Sequence, residues 1–325
     1  MNNEDALIVD YVSANRPIAG FRAESEQMAA MPKGTKHLDQ LSKLAIGAGM
    51  EASAARPELA DRRTAVITAT SGSLQSAVDY YVRSVDNGAS TVSPRGFPST
   101  VLNCASSQIA LHIKCEGPNA TLTSGNTSLA AALRYARLLF RSDLADRALV
   151  VGAEEKTVSR VHERLARGAL AEETDLGEGG IALVVRPNDG KFEAGAKAPL
   201  RVLAAARIAG GAKAGVSLTE AIERALDEGG LEASTVNEVR TTCDFRPDLR
   251  DIERQVVESA LARTNAEVIP LSPSIGDLGA ATSMTRISEI ATAVLGTVCL
   301  ITSIESDGSA GAVVVAVGTS DIEEG

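Results

Sequence analysis

Residues 117–154 read GPNATLTSGNTSLAAALRYARLLFRSDLADRALVVGAE, and this stretch decides the fold. A Gly117-Pro118 turn leads into a short strand-like run at residues 120–123. The small-residue turn Ser124-Gly125-Asn126-Thr127-Ser128 follows. Residues 127–140 then place Leu129, Leu133, Ala136 and Phe140 on one helical face. Residues 148–152 form a continuous apolar run, the mark of a strand covered on both faces. Strand, turn, amphipathic helix and buried strand make one unit of layered α/β architecture.

The pattern continues outward. Upstream, residues 38–52 read as a helix with Leu41, Leu44, Ala45 and Ala48 on one face, residues 64–69 as a strand and residues 73–85 as a helix. Downstream, residues 181–185 are a second buried strand. The second part repeats the order: helix 218–228, strand 236–241, helix 252–263, strand 268–271, helix 280–295, and strands 298–303 and 312–317. A duplicated order predicts two pseudo-equivalent halves, 1–190 and 191–325, packed as one compact unit with the joint at residues 187–199.

Composition bounds the function. At 44% hydrophobic residues the 325-residue chain buries a large core, and its 3% aromatics and absent Trp suit helices packed closely on sheets. A net charge of -10 disfavours a nucleic-acid binder. The start, Met1 to Asp5, lacks the basic-then-apolar pattern of a secretory leader, and the uncharged stretch between Glu289 and Glu305 is too short to span a bilayer. Cys104, Cys115, Cys243 and Cys299 have neither paired nor metal-like spacing. They read as buried thiols of a cytoplasmic protein with no membrane or cofactor requirement.

The ordered motifs carry a resemblance. Gly117-Pro118, the turn around Asn126, the long Ala- and Leu-rich helix and the Gly152-Ala153-Glu154 strand end resemble the β-ketoacyl synthase family, as does Asn103 upstream. Gly177-Glu178-Gly179-Gly180 is similar to that family's Gly-Glu-Gly-Ala, and Ser274-Ile275-Gly276-Asp277-Leu278-Gly279-Ala280-Ala281 to its Gly-His-x-x-Gly-Ala-Ala turn, one residue shorter. The resemblance spans residues 36–317 and implies a thiolase-like fold, two α/β halves in an α-β-α-β-α arrangement.

The resemblance also exposes what is missing. The family uses a Cys at the helix-start turn, where dipole and amides lower the thiol pKa and hold an oxyanion, with two His and a Lys. Counting from Gly117-Pro118, the nucleophile position holds Asn126. The first His position falls at Thr242 or Cys243, the second holds Asp277, and the Lys position holds Ser272. The three histidines, His37, His112 and His162, lie outside these motifs. Cys104, in Asn103-Cys104-Ala105-Ser106-Ser107, imitates a nucleophile signature but precedes Gly117. The family's Gly-Phe-Gly-Gly gate is replaced by Ser303-Ile304-Glu305-Ser306-Asp307-Gly308.

A family member so depleted is expected to be a non-catalytic, chain-length-factor-like subunit of a type II polyketide synthase. It would form a heterodimer with an active ketosynthase, meet the acyl carrier protein only indirectly and cap a shared acyl tunnel with Phe97, Thr100 and Cys104. The abbreviated length hints at polyene-type or fatty-acid-like chains. Two alternatives stay open. One is a re-invented acyl-transfer or hydrolytic site around Asn126, Thr242, Cys243, Asp244 and Asp277, and the other a homodimeric acyl-binding scaffold.

Overall fold

The computed structural model describes residues 5–12, 18–19, 31–35, 37–72, 74–172, 175–189 and 200–318. Most of the expected joint (190–199), the N-terminal residues 1–4, Lys36 and Ser73 lie outside the described residues.

Among the described residues eleven strands form one ladder: β1 (Leu7–Val12), β2 (Ile18–Ala19), β3 (Thr64–Ala69), β4 (Asn119–Leu122), β5 (Arg147–Glu154), β6 (Gly177–Pro187), β7 (Leu200–Ile208), β8 (Glu238–Arg240), β9 (Glu267–Ile269), β10 (Val298–Ile304) and β11 (Ala310–Val317). The two-residue β2 pairs only with β6. The remaining order is a palindrome about the β1–β7 pair. One arm runs β1-β6-β5-β3-β4 and the other β7-β11-β10-β8-β9. In both arms the first two pairings are antiparallel and the last two parallel. This is the duplication expected from the sequence.

Among the described residues eight helices cover the ladder: α1 (Gln40–Ala55), α2 (Gln75–Asn87), α3 (Cys104–Ile113), α4 (Ser128–Arg141), α5 (Val158–Ala166), α6 (Ala214–Gly229), α7 (Arg250–Ala260) and α8 (Thr282–Ile290). The apolar faces of α4 and α8 share one core with strands of both arms, including Ile67, Val150, Leu183, Ile301 and Val315. α1 and α3 make a second core on β3, β5 and β6, and α6 and α7 a third on the other arm. The layers are therefore α-β-α-β-α, a thiolase-like ketosynthase fold. No helix among the described residues is long and apolar enough to cross a membrane.

Differences from the sequence expectations have local causes. β9 stops at Ile269 because Pro270 has no N–H to donate. The expected helix 280–295 begins as a 3-10 turn at Gly279–Ala281 and ends at Ile290. Beyond it Thr292 and Ala293 donate three residues back, to Glu289 and Ile290, and Gly296 turns left-handed at φ +87. β1 and β7, strands that the sequence pattern does not mark, form the seam between the arms.

Candidate functional site

The central helices begin where the arms meet. The 3-10 turn Gly125–Thr127 runs straight into α4 and buries Asn126. The Asn126 side-chain amide donates to Thr242 Oγ1 at 2.8 Å and points at Cys243 Sγ at 3.5 Å. Its backbone N–H donates to Glu305 Oε1 at 2.7 Å. Asn126 Oδ1 is buried and unpartnered. The structure thus brings Asn126 onto the adjacent pair Thr242 and Cys243, more than a hundred residues later in the sequence.

The segment after β8 is clamped by Glu253 of α7. Its carboxyl accepts from Cys243 N (2.8 Å), Thr302 Oγ1 (2.7 Å) and Thr242 N (3.2 Å). Thr242 Oγ1 in turn donates to the Thr302 carbonyl at 2.9 Å. Burial pushes the Glu253 carboxyl up to about 7, against the pull of the Thr302 hydroxyl and the Cys243 amide. Burial also pushes the Cys243 thiol well above its ordinary range, helped by Glu253 nearby. A fully buried thiol held in its protonated form is a poor nucleophile.

Asp277 sits elsewhere. Its Oδ1 accepts from Gly279 N at 2.7 Å, and the guanidinium groups of Arg160 and Arg164 stand 3.8 and 3.9 Å away. Burial works to raise its carboxyl, but Arg164, Arg160, Arg246 and the Gly279 amide together hold it below the usual carboxylate range. It is an acceptor, not the hydrogen-bond donor that a neutral His would be. Asp244 is engaged by Thr241 Oγ1 and Leu271 N, both at 2.8 Å. Neither Asp244 nor Asp277 hydrogen-bonds Cys243, so the arrangement expected of a re-invented site is not assembled. Ser272 is half-buried in a turn, sharing a 2.9 Å hydrogen bond with Ser274.

Three groups escaped sequence reasoning: Glu305, Glu253 and the arginines of α5. A cavity of about 500 Å³ opens beside the Asn126 turn, lined by Gly125, Arg160, Arg164, Arg167, Arg207 and Glu305 among others. One signal for Glu305 was available, because each arm has a continuous apolar strand ending in an acid, Glu154 after β5 and Glu305 after β10. No group of His, Cys, Asp and Glu that could hold a metal occurs among the described residues.

The expected cap residues divide. Phe97 is 56% exposed, edge-on to Tyr80 with ring centroids 6.2 Å apart. Thr100 Oγ1 donates to the Phe97 carbonyl at 2.7 Å, closing the 3-10 segment Pro94–Thr100. Cys104, first residue of α3, is buried in the α1–α3 core. Tyr80, which Phe97 meets, lies on one side of α2, and an apolar stripe lies on the other. α2 buries none of its residues and exposes Val78, Tyr81, Val82 and Val85 at helical spacing. Val101 and Leu111 are exposed nearby in sequence, on the segments that lead into and form α3. β4 is the end strand of its arm, with one edge unpaired.

Comparison with known proteins agrees with this fold. The β-ketoacyl synthase N-terminal domain matches the sequence over residues 19–179. Among solved structures, the chain is similar to the ishigamide ketosynthase/chain length factor at 25% identity, covering 92% of this chain and 86% of that one, with a TM-score of 0.77. It is also similar to a chain of the ketosynthase ApeO in complex with its chain length factor ApeC from Xenorhabdus doucetiae, at 15% identity, 96% and 98% coverage and a TM-score of 0.75. A β-ketoacyl synthase from Burkholderia phymatum STM815 shares 16% identity over 92% of this chain and 86% of that one, with a TM-score of 0.76. No curated protein sequence matches.

Proposed function

We propose that this chain, a β-ketoacyl synthase relative with the ketosynthase fold, is the non-catalytic, chain-length-factor-like half of a ketosynthase heterodimer. The observation that carries the reading is an apolar stripe of α2, Val78, Tyr81, Val82 and Val85, left exposed on a chain whose nucleophile turn holds a buried Asn126. Exposed apolar stripes of this kind mark interaction surfaces. An end strand with one free edge offers backbone pairing to a second sheet. The partner, an active ketosynthase with its own Cys and His set, would supply the chemistry and hold the acyl carrier protein. An acidic chain of net charge -10 is poorly suited to dock an acidic carrier. We place the complex in the cytoplasm and keep the halves 1–190 and 191–325 as one structural unit.

In this reading the chain shapes the acyl tunnel of polyketide, polyene-type or fatty-acid-like synthesis. Phe97, whose carbonyl accepts from Thr100, is the proposed wall, because an aromatic ring closed over by the partner would stop a growing chain. Cys104, buried under α1, would support that wall from behind. Asn126, Thr242, Cys243, Ser272 and Asp277 would have no chemical role. The test is condensation by the reconstituted complex. Asn126→Ala should leave turnover largely intact, and Phe97→Ala should lengthen the product. Loss of all product from Asn126→Ala with the complex still assembled would overturn the silent-subunit reading.

A further inference from the structure

The start of each central helix is held by a carboxylate from the opposite arm. Glu154, ending β5, accepts from Ala280 N at 3.0 Å, at the turn into α8, and also from Ser71 N just after β3. Glu305, after β10, accepts from Asn126 N at 2.7 Å, at the turn into α4. Both turns open on a left-handed glycine, Gly125 at φ +52 and Gly279 at φ +53. A Cβ on Gly125 would collide with Glu305 Oε1, and one on Gly279 would crowd Ser71 Oγ, Arg160 Nη2 and Glu154 Oε1. The fold thus carries two reciprocal clasps in pseudo-equivalent places. The second oxygen of Glu305 lies 3.3 Å from Arg246 Nη1, and Arg246 is itself steadied by Asp248 at 2.9 Å.

An amide at a helix start beside a guanidinium is a carboxylate-binding arrangement. We propose that the turn at Gly125–Thr127 keeps such a site, built from the Asn126 N–H and Arg246, and that Glu305 fills it from within the chain. Glu305 also forms part of the wall of the 500 Å³ cavity, so it stands between that cavity and the Asn126 amide. A carbonyl arriving there meets a carboxylate instead of a free donor. Closure of the donor and replacement of the nucleophile are then two separate changes. Asn126→Cys alone would not make a turn that holds a developing oxyanion. The inference deepens the silent-subunit reading, yet its test needs no partner.

The test is chemical rescue of Glu305→Ala in the full chain, alone or in its complex. Melting is followed in sodium formate and in sodium chloride of equal ionic strength. The variant should melt several degrees below the natural chain in chloride and regain part of that shift in formate. The natural chain and Glu305→Gln, whose site stays filled, should not respond. An equal formate response in all three, or none in Glu305→Ala, overturns the proposal. Should Glu305→Ala not fold, alkylation of Asn126→Cys by iodoacetamide is compared with and without Glu305→Gln. Removing the adjacent charge should speed the reaction about tenfold, and equal rates would overturn the proposal. Failure here leaves pairing untouched, and failure to pair leaves the clasp untouched.

Discussion

Glu253→Ala gives the most demanding check on the claim that the Thr242–Cys243 segment is held for structure. The substitution strips the partner from three buried donors: Cys243 N, Thr242 N and Thr302 Oγ1. Each orphaned buried donor costs roughly 1–3 kcal/mol, so even at the low end the loss is about 3 kcal/mol. Set against a total stability of about 5–15 kcal/mol, that is a large share. Thr302→Val alone removes one donor and should cost about 1 kcal/mol. In the double variant the Thr302 hydroxyl is no longer there to be orphaned. The combined loss should therefore fall short of the sum by on the order of 1 kcal/mol. Urea unfolding at pH 5, where Glu253 keeps its proton and no charge is buried, followed by circular dichroism measures all three. A cost below about 1 kcal/mol for Glu253→Ala, or strict additivity in the double variant, would refute the reasoning.

The same group predicts a pH dependence. Burial pushes both Glu253 and Glu155 up to about 7 from 4.5. The native state then keeps protons that the unfolded chain releases, so the stability they contribute is complete below pH 4.5 and is lost as pH rises through about 7. Unfolding free energies from urea titrations should fall between pH 5 and pH 8, by at most on the order of 3 kcal/mol per group, and Glu253→Gln should flatten the slope. Gly117→Ala places a Cβ 2.5 Å from the Thr64 carbonyl oxygen, a backbone atom that cannot step aside, and should cost about 1–3 kcal/mol in a thermal or urea melt. Cys104, Cys115, Cys243 and Cys299 are all buried, with thiols pushed up chiefly by burial. Ellman's reagent should find them all in urea and almost none in the native protein; rapid native labelling of Cys243 would revive the enzyme alternative.

Much of the fold was legible because buried strands announce themselves as continuous apolar runs. Residues 64–69, 148–152 and 298–303 fall within or match β3, β5 and β10. β7 was not legible, because LRVLAAARI is rich in Ala and flanked by Arg, a composition equally suited to a helix. β1 escaped because Asp10 interrupts its apolar run near the N-terminus. In the site, counting from Gly117-Pro118 reached Asn126, since the spacing of strand, turn and helix is rigid. Glu305 could not be paired with Asn126 from sequence, because the two are 179 residues apart and meet only when the arms close. Glu253 lies on a helix whose charges read as a solvated face, and only the packing of α7 buries it. Asp277 is reached by motif, but its partners Arg160 and Arg164 sit on α5, more than a hundred residues earlier, and meet it only in the folded chain.

The central claim is that this chain works only beside an active ketosynthase. The direct measurement is co-expression with the ketosynthase encoded nearest to it, followed by size-exclusion chromatography with mass determination. The account predicts a one-to-one complex that condenses acyl units while the isolated chain does not. A stable homodimer that ignores the ketosynthase would contradict it.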